Sequence, residues 1–260
     1  MEAAAPPPGA PPPAAPPPAA PGPAPRHVDV GRVISETFSI YGRHAGVLIG
    51  SAVVIFGVIG IINAFLYDEG GIVFNLIIQI LNLLGSAIFT GMVVKVVQAE
   101  RQGQVTTVGE MFESVSGVLG PLVGNGILKA IAVGIGLVLL IVPGVFLATI
   151  WAVTAPAIVV ERAGVIDAFS RSWELVQGNF WPVLGAFVLG FMIVVGVSIL
   201  ASAIGIAIGL AGLLVLIIIA GIVTAPVLAL ISAILFFDLG GGQVAAAPAA
   251  PAAPPPAPAA

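Results

Sequence analysis

Long apolar segments, separated by short polar ones, fill the middle of this chain. A transmembrane helix needs about 20 apolar residues to cross about 30 Å of hydrocarbon, and six segments approach that length. Four of them are residues 45–66, 72–97, 122–141 and 142–160, and the run 180–237 is long enough for two more, with a turn in the glycine-rich stretch 205–212. The pattern predicts an all-α, polytopic membrane protein with about six transmembrane helices.

Three shorter amphipathic segments each precede a pair of these spans. They cover residues 30–41, 108–119 and 165–176, and they place apolar or small residues at helical spacing. Asp29 is predicted to cap the first of these helices, and Thr107 with Glu110 has the spacing of a capping box at the start of the second. The predicted architecture is therefore three membrane hairpins, each preceded by a short interfacial amphipathic helix.

The third amphipathic segment carries both charged and large aromatic side chains. Asp167 and Arg171 stand four residues apart, so they are predicted to pair on the wet face, which contributes only about 0.2 to 0.5 kcal/mol. Full burial of a side chain such as Phe169 or Trp173 contributes about 1.5 to 3 kcal/mol. We therefore predict that Phe169 and Trp173 anchor this helix at the membrane interface.

The sequence Val-Thr-Ala-Pro occurs in two of the returning spans, at residues 153–156 and 223–226. Proline has no backbone N–H, so it leaves one carbonyl of a helix without its donor. Inside a membrane that carbonyl needs another partner, and Thr154, Thr224 or a neighbouring helix is expected to supply it. The pattern predicts a kink in both spans.

Three amides mark the second span. Asn75, Gln79 and Asn82 are spaced by four and three residues, which puts them on one face of a helix. Amides in contact with lipid would lack hydrogen-bond partners, so this face is predicted to point into the bundle, towards Asn63 or Asn125. Two interpretations are open. The amides either join helices, at about 0.6 kcal/mol per contact, or line a polar path for a substrate or ion.

Lys129 is the charged residue that could lie deep within a predicted span. We expect its ammonium to snorkel to the nearer membrane surface, with pairing to Glu161 or Asp238 as the alternative. With that placement all eight basic residues fall on one side of the six spans. Because basic residues favour the cytoplasmic side, the pattern predicts a multi-pass plasma-membrane protein with both termini in the cytoplasm.

The overall composition is that of a membrane protein with two polar ends. The 260 residues are 59% hydrophobic and only 8% charged, whereas soluble domains have about 25% charged residues. The Pro/Ala-rich ends have few groups to bury and favour extended conformations. We predict disordered tails at residues 1–27 and 239–260, around a helical membrane domain at 28–238.

The sequence holds few groups that support catalysis. It has no cysteine and only two histidines, His27 and His44, which are 17 residues apart with no neighbouring ligand cluster. It also lacks the Gly-x-Ser-x-Gly nucleophile elbow and a Walker-type phosphate loop. We expect no catalytic residue, no cofactor and no metal. The net charge of −4 gives no reason to expect a nucleic-acid partner.

A family resemblance lies in the middle of the chain. Pro143 and Gly144 are followed by APAIVVERAG at 155–164 and by DAFSRSWELVQGNFWPVLG at 167–185. This text resembles the bacterial multi-pass family named after the membrane domain of glycerophosphoryl diester phosphodiesterase, and also a related, largely uncharacterised inner-membrane family. The resemblance implies a helical protein with about six spans. It carries over no catalytic residue, because hydrolysis in the eponymous enzymes belongs to a separate soluble domain.

Two functions are compatible with these patterns. The first is a non-catalytic integral membrane protein that organises membrane lipids or a membrane-protein partner. The second is a transporter or lipid flippase that uses the polar face of the second span. A membrane enzyme is a third, less supported alternative.

Overall fold

Nine α-helices make up most of the chain that the structure describes. The computed structural model describes residues 28–66, 71–104 and 107–242. The helices are α1 (Val30–Leu66), α2 (Ile72–Gln102), α3 (Val108–Ser116), α4 (Leu119–Leu139), α5 (Ile141–Ile150), α6 (Thr154–Glu161), α7 (Val165–Val176), α8 (Phe180–Ile208) and α9 (Leu210–Asp238). A short 3-10 turn, Gln177–Asn179, joins α7 to α8. The predicted tails at residues 1–27 and 243–260 lie outside the described residues.

Six stretches of helix within the described residues are long and apolar enough to cross a membrane. They are Val30–Ile62, Val73–Gln102, Leu119–Leu139, Ile141–Glu161, Val165–Ile208 and Leu210–Asp238. The described part of the chain contains no strand. The prediction of an all-α polytopic membrane protein with six spanning helices is confirmed.

The turns between spans lie close to their predicted places. Gly209, at a φ of 109°, separates α8 from α9 within the glycine-rich stretch. The turn before α5 lies at Leu140, so Pro143 occupies the first turn of α5, where a helix needs no N–H donor. At this turn α4 and α5 come very close, because a Cβ on Gly136 would lie 2.9 Å from the Cα of Gly144.

The predicted helix starts at Asp29 and Thr107 are confirmed. The Asp29 carboxylate accepts the backbone N–H of Arg32 at 2.9 Å. The Glu110 N–H donates to the Thr107 hydroxyl, and the Thr107 N–H donates to the Glu110 carboxylate, which completes the capping box. These hydrogen bonds with Thr107 hold the pKa of the Glu110 carboxyl below its ordinary value.

The three amphipathic segments differ in how they join their spans. Residues 30–41 are continuous with the first span in α1, and the helix is kinked at His44, which has a non-helical φ and ψ. The helices α3 and α7 are separate from the spans that follow them. The position of all three at a membrane interface stays a prediction.

The predicted pair of Asp167 with Arg171 is wrong. Arg171 instead donates from Nε and Nη2 to both carboxylate oxygens of Glu161, at 2.9 and 3.0 Å. A guanidinium matches a carboxylate better in this two-bonded geometry than as a single contact across one helical turn. Glu161 also accepts the backbone N–H of Gly242 at 2.9 Å. Among the described residues, the contacts of the bundle therefore extend to Gly242.

Ion pairs gather at the end of the bundle where α2 and α9 finish. Asp238 accepts from Arg32 at 2.6 Å and from Arg101 at 3.0 Å, and Arg101 also pairs with Glu36 at 2.7 Å. Glu100, beside Arg101, contacts Arg43 and His44 at 2.8 and 2.7 Å. This charged end joins α1, α2 and α9. Its assignment to the cytoplasm stays a prediction.

Candidate functional site: a polar chamber beside a broken helix

The fourth span is broken near its middle. Between α5 and α6, the residues from Trp151 to Val153 leave the helical path. The cause lies in the chain itself, since Pro156 has no N–H to donate to the carbonyl of Ala152, four residues earlier. A break at this depth removes the helical partners of several backbone groups, and inside the membrane each group without a new partner would cost several kcal/mol.

Two serines from other helices satisfy part of this broken backbone. Ser232 of α9 donates to the Ala152 carbonyl at 2.7 Å. Ser172 of α7 donates to the Ile150 carbonyl at 2.7 Å and accepts the N–H of Val153 at 3.3 Å. Both serines are buried. The prediction that a neighbouring helix would supply the missing donor for the first Val-Thr-Ala-Pro copy is confirmed by Ser232.

The remaining carbonyl of the break, that of Trp151, accepts two donors. The Thr154 hydroxyl donates to it at 3.3 Å, and the ammonium of Lys129 donates to it at 2.6 Å. The alternative prediction for Lys129, a pair with Glu161 or Asp238, is therefore wrong: among the described residues neither of these contacts it. The ammonium binds a backbone carbonyl released by the helix break.

Lys129 also does not snorkel. It lies ten residues from either end of α4, which begins at Leu119 and ends at Leu139. At 1.5 Å per residue its Cα is about 15 Å from both helix ends, the centre of the span. A charge at that depth is costly unless it faces the bundle interior or a polar cavity.

The ammonium lies at the wall of a partly open cavity of about 250 Å³ that is lined by residues of α2, α4, α6, α8 and α9. We call this cavity the inner chamber. Its polar lining consists of Ser86, Thr90, Asn125, Lys129, Thr154 and Ser232. No Asp or Glu belongs to the described lining of the chamber. Asn125 is buried and donates one amide N–H to the Val165 carbonyl at 3.4 Å.

A second, wider groove of about 510 Å³ adjoins the inner chamber and is open on the outside of the bundle. We call it the outer cleft. It lies between α2 and α4, with Phe56 of α1 at its edge, and its lining is Phe56, Gln79, Asn82, Leu83, Ser86, Ile127, Ala130 and Ile131. Leu83 and Ser86 line both spaces, so the outer cleft and the inner chamber are neighbours.

The three predicted amides occupy different positions relative to the outer cleft. Gln79 and Asn82 line the outer cleft, whereas Asn75 is exposed outside it. The Asn82 amide donates to the Ile78 carbonyl of its own helix at 2.9 Å. Within the described residues none of the three amides bonds another helix. The side chain of Asn63, proposed as a partner, lies outside the described part.

Phe169 and Trp173, the predicted interfacial anchors, contact other aromatic rings of the bundle. Phe169 lies 4.7 Å from the ring of Trp151, edge to face, beside the helix break. Trp173 lies 6.2 Å from Phe146 of α5 and keeps 44% of its surface exposed. Phe169 therefore packs within the protein, and Trp173 retains a face that can meet lipid.

The sequence analysis did not identify several residues that line the inner chamber, although the spacing of polar residues along α2 indicated some of them. Ser86 and Thr90 continue the spacing of Asn75, Gln79 and Asn82 along α2 in steps of four residues. Ser232 has no such pattern, because the nearest polar residues of α9, Thr224 and Asp238, lie eight and six residues away from it. Only the packing of α9 against the break gives it a role.

Comparison with known proteins places the chain among uncharacterised membrane proteins. Residues 47–204, more than half of the chain, match the family described as Domain of unknown function (DUF7847). A UPF0259 membrane protein of Pectobacterium carotovorum subsp. carotovorum (strain PC1) is 26% identical over 120 residues, which cover 46% of this chain and 48% of that protein. The chain thus matches about half of the length of this relative. No solved structure matches.

These matches support an uncharacterised bacterial membrane family, and neither carries the name of the glycerophosphoryl diester phosphodiesterase membrane domain. The relative's name says membrane protein, in agreement with the six apolar helices. The chain belongs to the DUF7847 family of domains of unknown function.

Proposed function

We propose that this chain is a non-catalytic plasma-membrane protein that binds membrane lipids, with the polar headgroup of the lipid in the outer cleft. Gln79 and Asn82 line the α2 side of this cleft, and their amides can both donate and accept hydrogen bonds. A lipid headgroup offers phosphate and ester oxygens that need donors when they leave water.

One observation carries this proposal: the outer cleft is polar on α2, apolar on α4 and adjoins the inner chamber, with which it shares Leu83 and Ser86. Ile127 and Ile131 of α4 line the cleft and are 41% and 56% exposed. Acyl chains can lie on these side chains at little cost, because both surfaces are apolar. An amphiphile suits such a two-sided groove better than a small polar solute does.

The test removes the polar side of the outer cleft. The double variant Gln79→Leu with Asn82→Leu makes α2 apolar there, and we expect it to lose several-fold of the phospholipid that the wild-type protein retains through detergent purification. Quantitative mass spectrometry of the retained lipid measures this. Asn75→Leu is the matched control, because it makes the same chemical change outside the cleft and should retain wild-type amounts.

Two results would count against lipid binding in the cleft. Unchanged lipid retention by the double variant would remove the proposed role of Gln79 and Asn82. An equal loss in Asn75→Leu would show that the effect reflects the polarity of α2 in general.

Transport or lipid flipping is a second candidate, favoured by the length of the polar stripe on α2. Asn75, Gln79, Asn82, Ser86 and Thr90 extend over 15 residues, or about 22 Å along the helix. Such a stripe could guide a headgroup from one membrane surface to the inner chamber. Flux of a fluorescent lipid in vesicles should then fall in the double variant and also in Asn75→Leu, which removes one end of the stripe, with an intact fold in both. A flux that is absent or unaffected would exclude this candidate.

A further inference from the structure

We propose that the inner chamber is a binding site for a phosphate-bearing anion, with Lys129 as its charged ligand. This inference rests on the proposed function in one respect, because a lipid whose headgroup lies in the outer cleft would have its phosphate at the adjoining inner chamber. It goes further by naming the charge and the chemical group that the site selects.

The first argument concerns the donors that Lys129 has available. An ammonium carries three N–H donors, and the bond to the Trp151 carbonyl uses one of them. No other described residue accepts from Lys129. Two donors on a charge at the centre of a span are thus available to a ligand in the chamber, and a lysine ammonium is a common partner of phosphate in proteins.

The second argument is electrostatic. A cation inside a bilayer is normally paired with an acid or faces a water-filled cavity. The described lining of the chamber contains no carboxylate, and a carbonyl dipole compensates only part of a full charge. An anion in the chamber would supply the missing counter-charge, whereas a neutral or cationic ligand would leave it uncompensated.

The third argument concerns the hydroxyl and amide groups around the ammonium. Asn125 uses one of its two amide donors on the Val165 carbonyl, so the second is available. Thr90 lines the same space from α2 and has no described hydrogen-bond partner. An oxyanion with three or four oxygens could accept from Lys129, Asn125 and Thr90 together.

Size sets the class of ligand. Pockets for whole drug-sized molecules occupy about 300 to 1,000 Å³, so a chamber of about 250 Å³ fits a phosphate group with a small substituent. Acyl chains would remain in the outer cleft or the bilayer. The ligand is either the phosphate of an anionic lipid or a free phosphate, and both share the chemistry that Lys129 recognises.

The experiment titrates the purified full-length protein in detergent with short-chain phosphatidylglycerol, short-chain phosphatidylcholine and inorganic phosphate. Native mass spectrometry measures the three affinities for the wild-type protein, Lys129→Gln and Lys129→Arg. Glutamine can still donate a hydrogen bond but carries no charge. We expect Lys129→Gln to bind phosphatidylglycerol about tenfold more weakly, since hydrogen bonds to a charged group contribute about 1.5 to 3 kcal/mol. Phosphatidylcholine has the same phosphate but no net charge, because its choline cation offsets the phosphate, so its binding should change less than that of phosphatidylglycerol. Lys129→Arg should keep the preference for the anionic lipid.

A second variant tests the inner chamber independently, in case Lys129→Gln does not fold. Ala155→Leu adds bulk to the chamber wall and leaves the bond between Lys129 and Trp151 in place. It should lose the preference for phosphatidylglycerol as well. If both variants discriminate between the two lipids as the wild type does, the anion site is wrong.

The two ligand sources give different results, and each supports the site. Charge-dependent binding of inorganic phosphate without phosphatidylglycerol binding identifies a soluble anion, and the reverse identifies the lipid. Failure of the proposed function is distinct, because it would appear as lipid binding that the cleft variant Gln79→Leu with Asn82→Leu leaves unchanged. Failure of the present inference would leave lipid binding dependent on the cleft and independent of Lys129.

Discussion

The sequence Val-Thr-Ala-Pro occurs twice in this chain, and the two copies fold differently. The copy at residues 153–156 lies at a break, where α5 ends at Ile150 and α6 begins at Thr154. The copy at 223–226 lies inside α9, which continues from Leu210 to Asp238 with Pro226 in its interior. Each proline withholds one N–H from its helix, so the difference arises outside the four shared residues.

The surroundings supply different numbers of hydrogen-bond donors to the two copies. At the break, side chains from three other helices reach the backbone: Lys129 of α4, Ser172 of α7 and Ser232 of α9. At the second copy, Thr224 donates to the Ala220 carbonyl of its own helix at 2.7 Å, and Tyr41 of α1 donates to the Val223 carbonyl at 3.0 Å. A proline opens a helix inside a membrane where neighbouring helices can satisfy what it exposes.

The largest effect is expected for Ser172→Ala, which removes a donor and an acceptor from the break at once. The buried Ile150 carbonyl and Val153 N–H would both lose a partner, and unsatisfied buried groups cost about 1 to 3 kcal/mol. Unfolding in mixed micelles, followed by circular dichroism, measures the loss. Ser170→Ala on the exposed side of α7 is the control. Equal stability of the two variants would contradict the role of Ser172.

A smaller loss is expected for Ser232→Ala, which removes the donor to the Ala152 carbonyl. Hydrogen bonds between helices in membranes average about 0.6 kcal/mol and reach about 1.7. The reference is Ser198→Ala, since Ser198 donates at 2.8 Å to the Val194 carbonyl within α8.

A double-mutant cycle sharpens this prediction. Pro156→Ala restores an N–H that can donate to the Ala152 carbonyl, so Ser232→Ala should cost less in that background. Strictly additive losses would mean that Ser232 does not replace the donor that Pro156 lacks.

Thr224→Val should change stability by less than about 0.6 kcal/mol, because the Thr224 hydroxyl bonds its own helix and the valine keeps the shape of the side chain. The same unfolding assay measures it beside Ser232→Ala. A loss as large as that of Ser232→Ala would remove the distinction between the two copies.

The smallest effect concerns pH. The hydroxyl groups that serve the two copies do not titrate in the acid range, whereas the capping carboxyl of Glu110 has a lowered pKa because of its hydrogen bonds with Thr107. Its stabilisation is present above the ordinary carboxyl pKa and is lost as pH falls through the lower folded value. The stability difference between wild type and Glu110→Gln should therefore shrink in acid. The stability difference between wild type and Ser232→Ala should not change with pH. An equal decrease of both differences in acid would contradict the assignment of the pH effect to the Glu110 carboxyl.

The overall helical architecture was predictable because each element depends on nearby residues. The length of the apolar segments specifies the six spans, and Gly209 lies in the predicted turn. Thr107 and Glu110 form a capping box within one helical turn. Even the missing donor of Pro156 follows from the residue type. None of these features needs a partner from a distant part of the chain.

The inner chamber was not predictable in the same way. Ser232 lies 80 residues from the carbonyl that it serves, and Lys129 lies 22 residues from its own. The acceptors are backbone carbonyls. Every residue has one, so the residue types in the sequence do not indicate which carbonyl will be an acceptor. A lysine near one apolar edge therefore suggested snorkelling, and only the folded arrangement places its ammonium on Trp151.

The position of Lys129 also bears on how the protein is made. A lysine at the centre of a helix costs about 2.5 to 3.5 kcal/mol during insertion from the translocon into the bilayer. Its carbonyl partner, Trp151, is synthesised 22 residues later. Insertion of the third and fourth spans together, as one hairpin, would therefore cost less free energy than insertion of the third span alone.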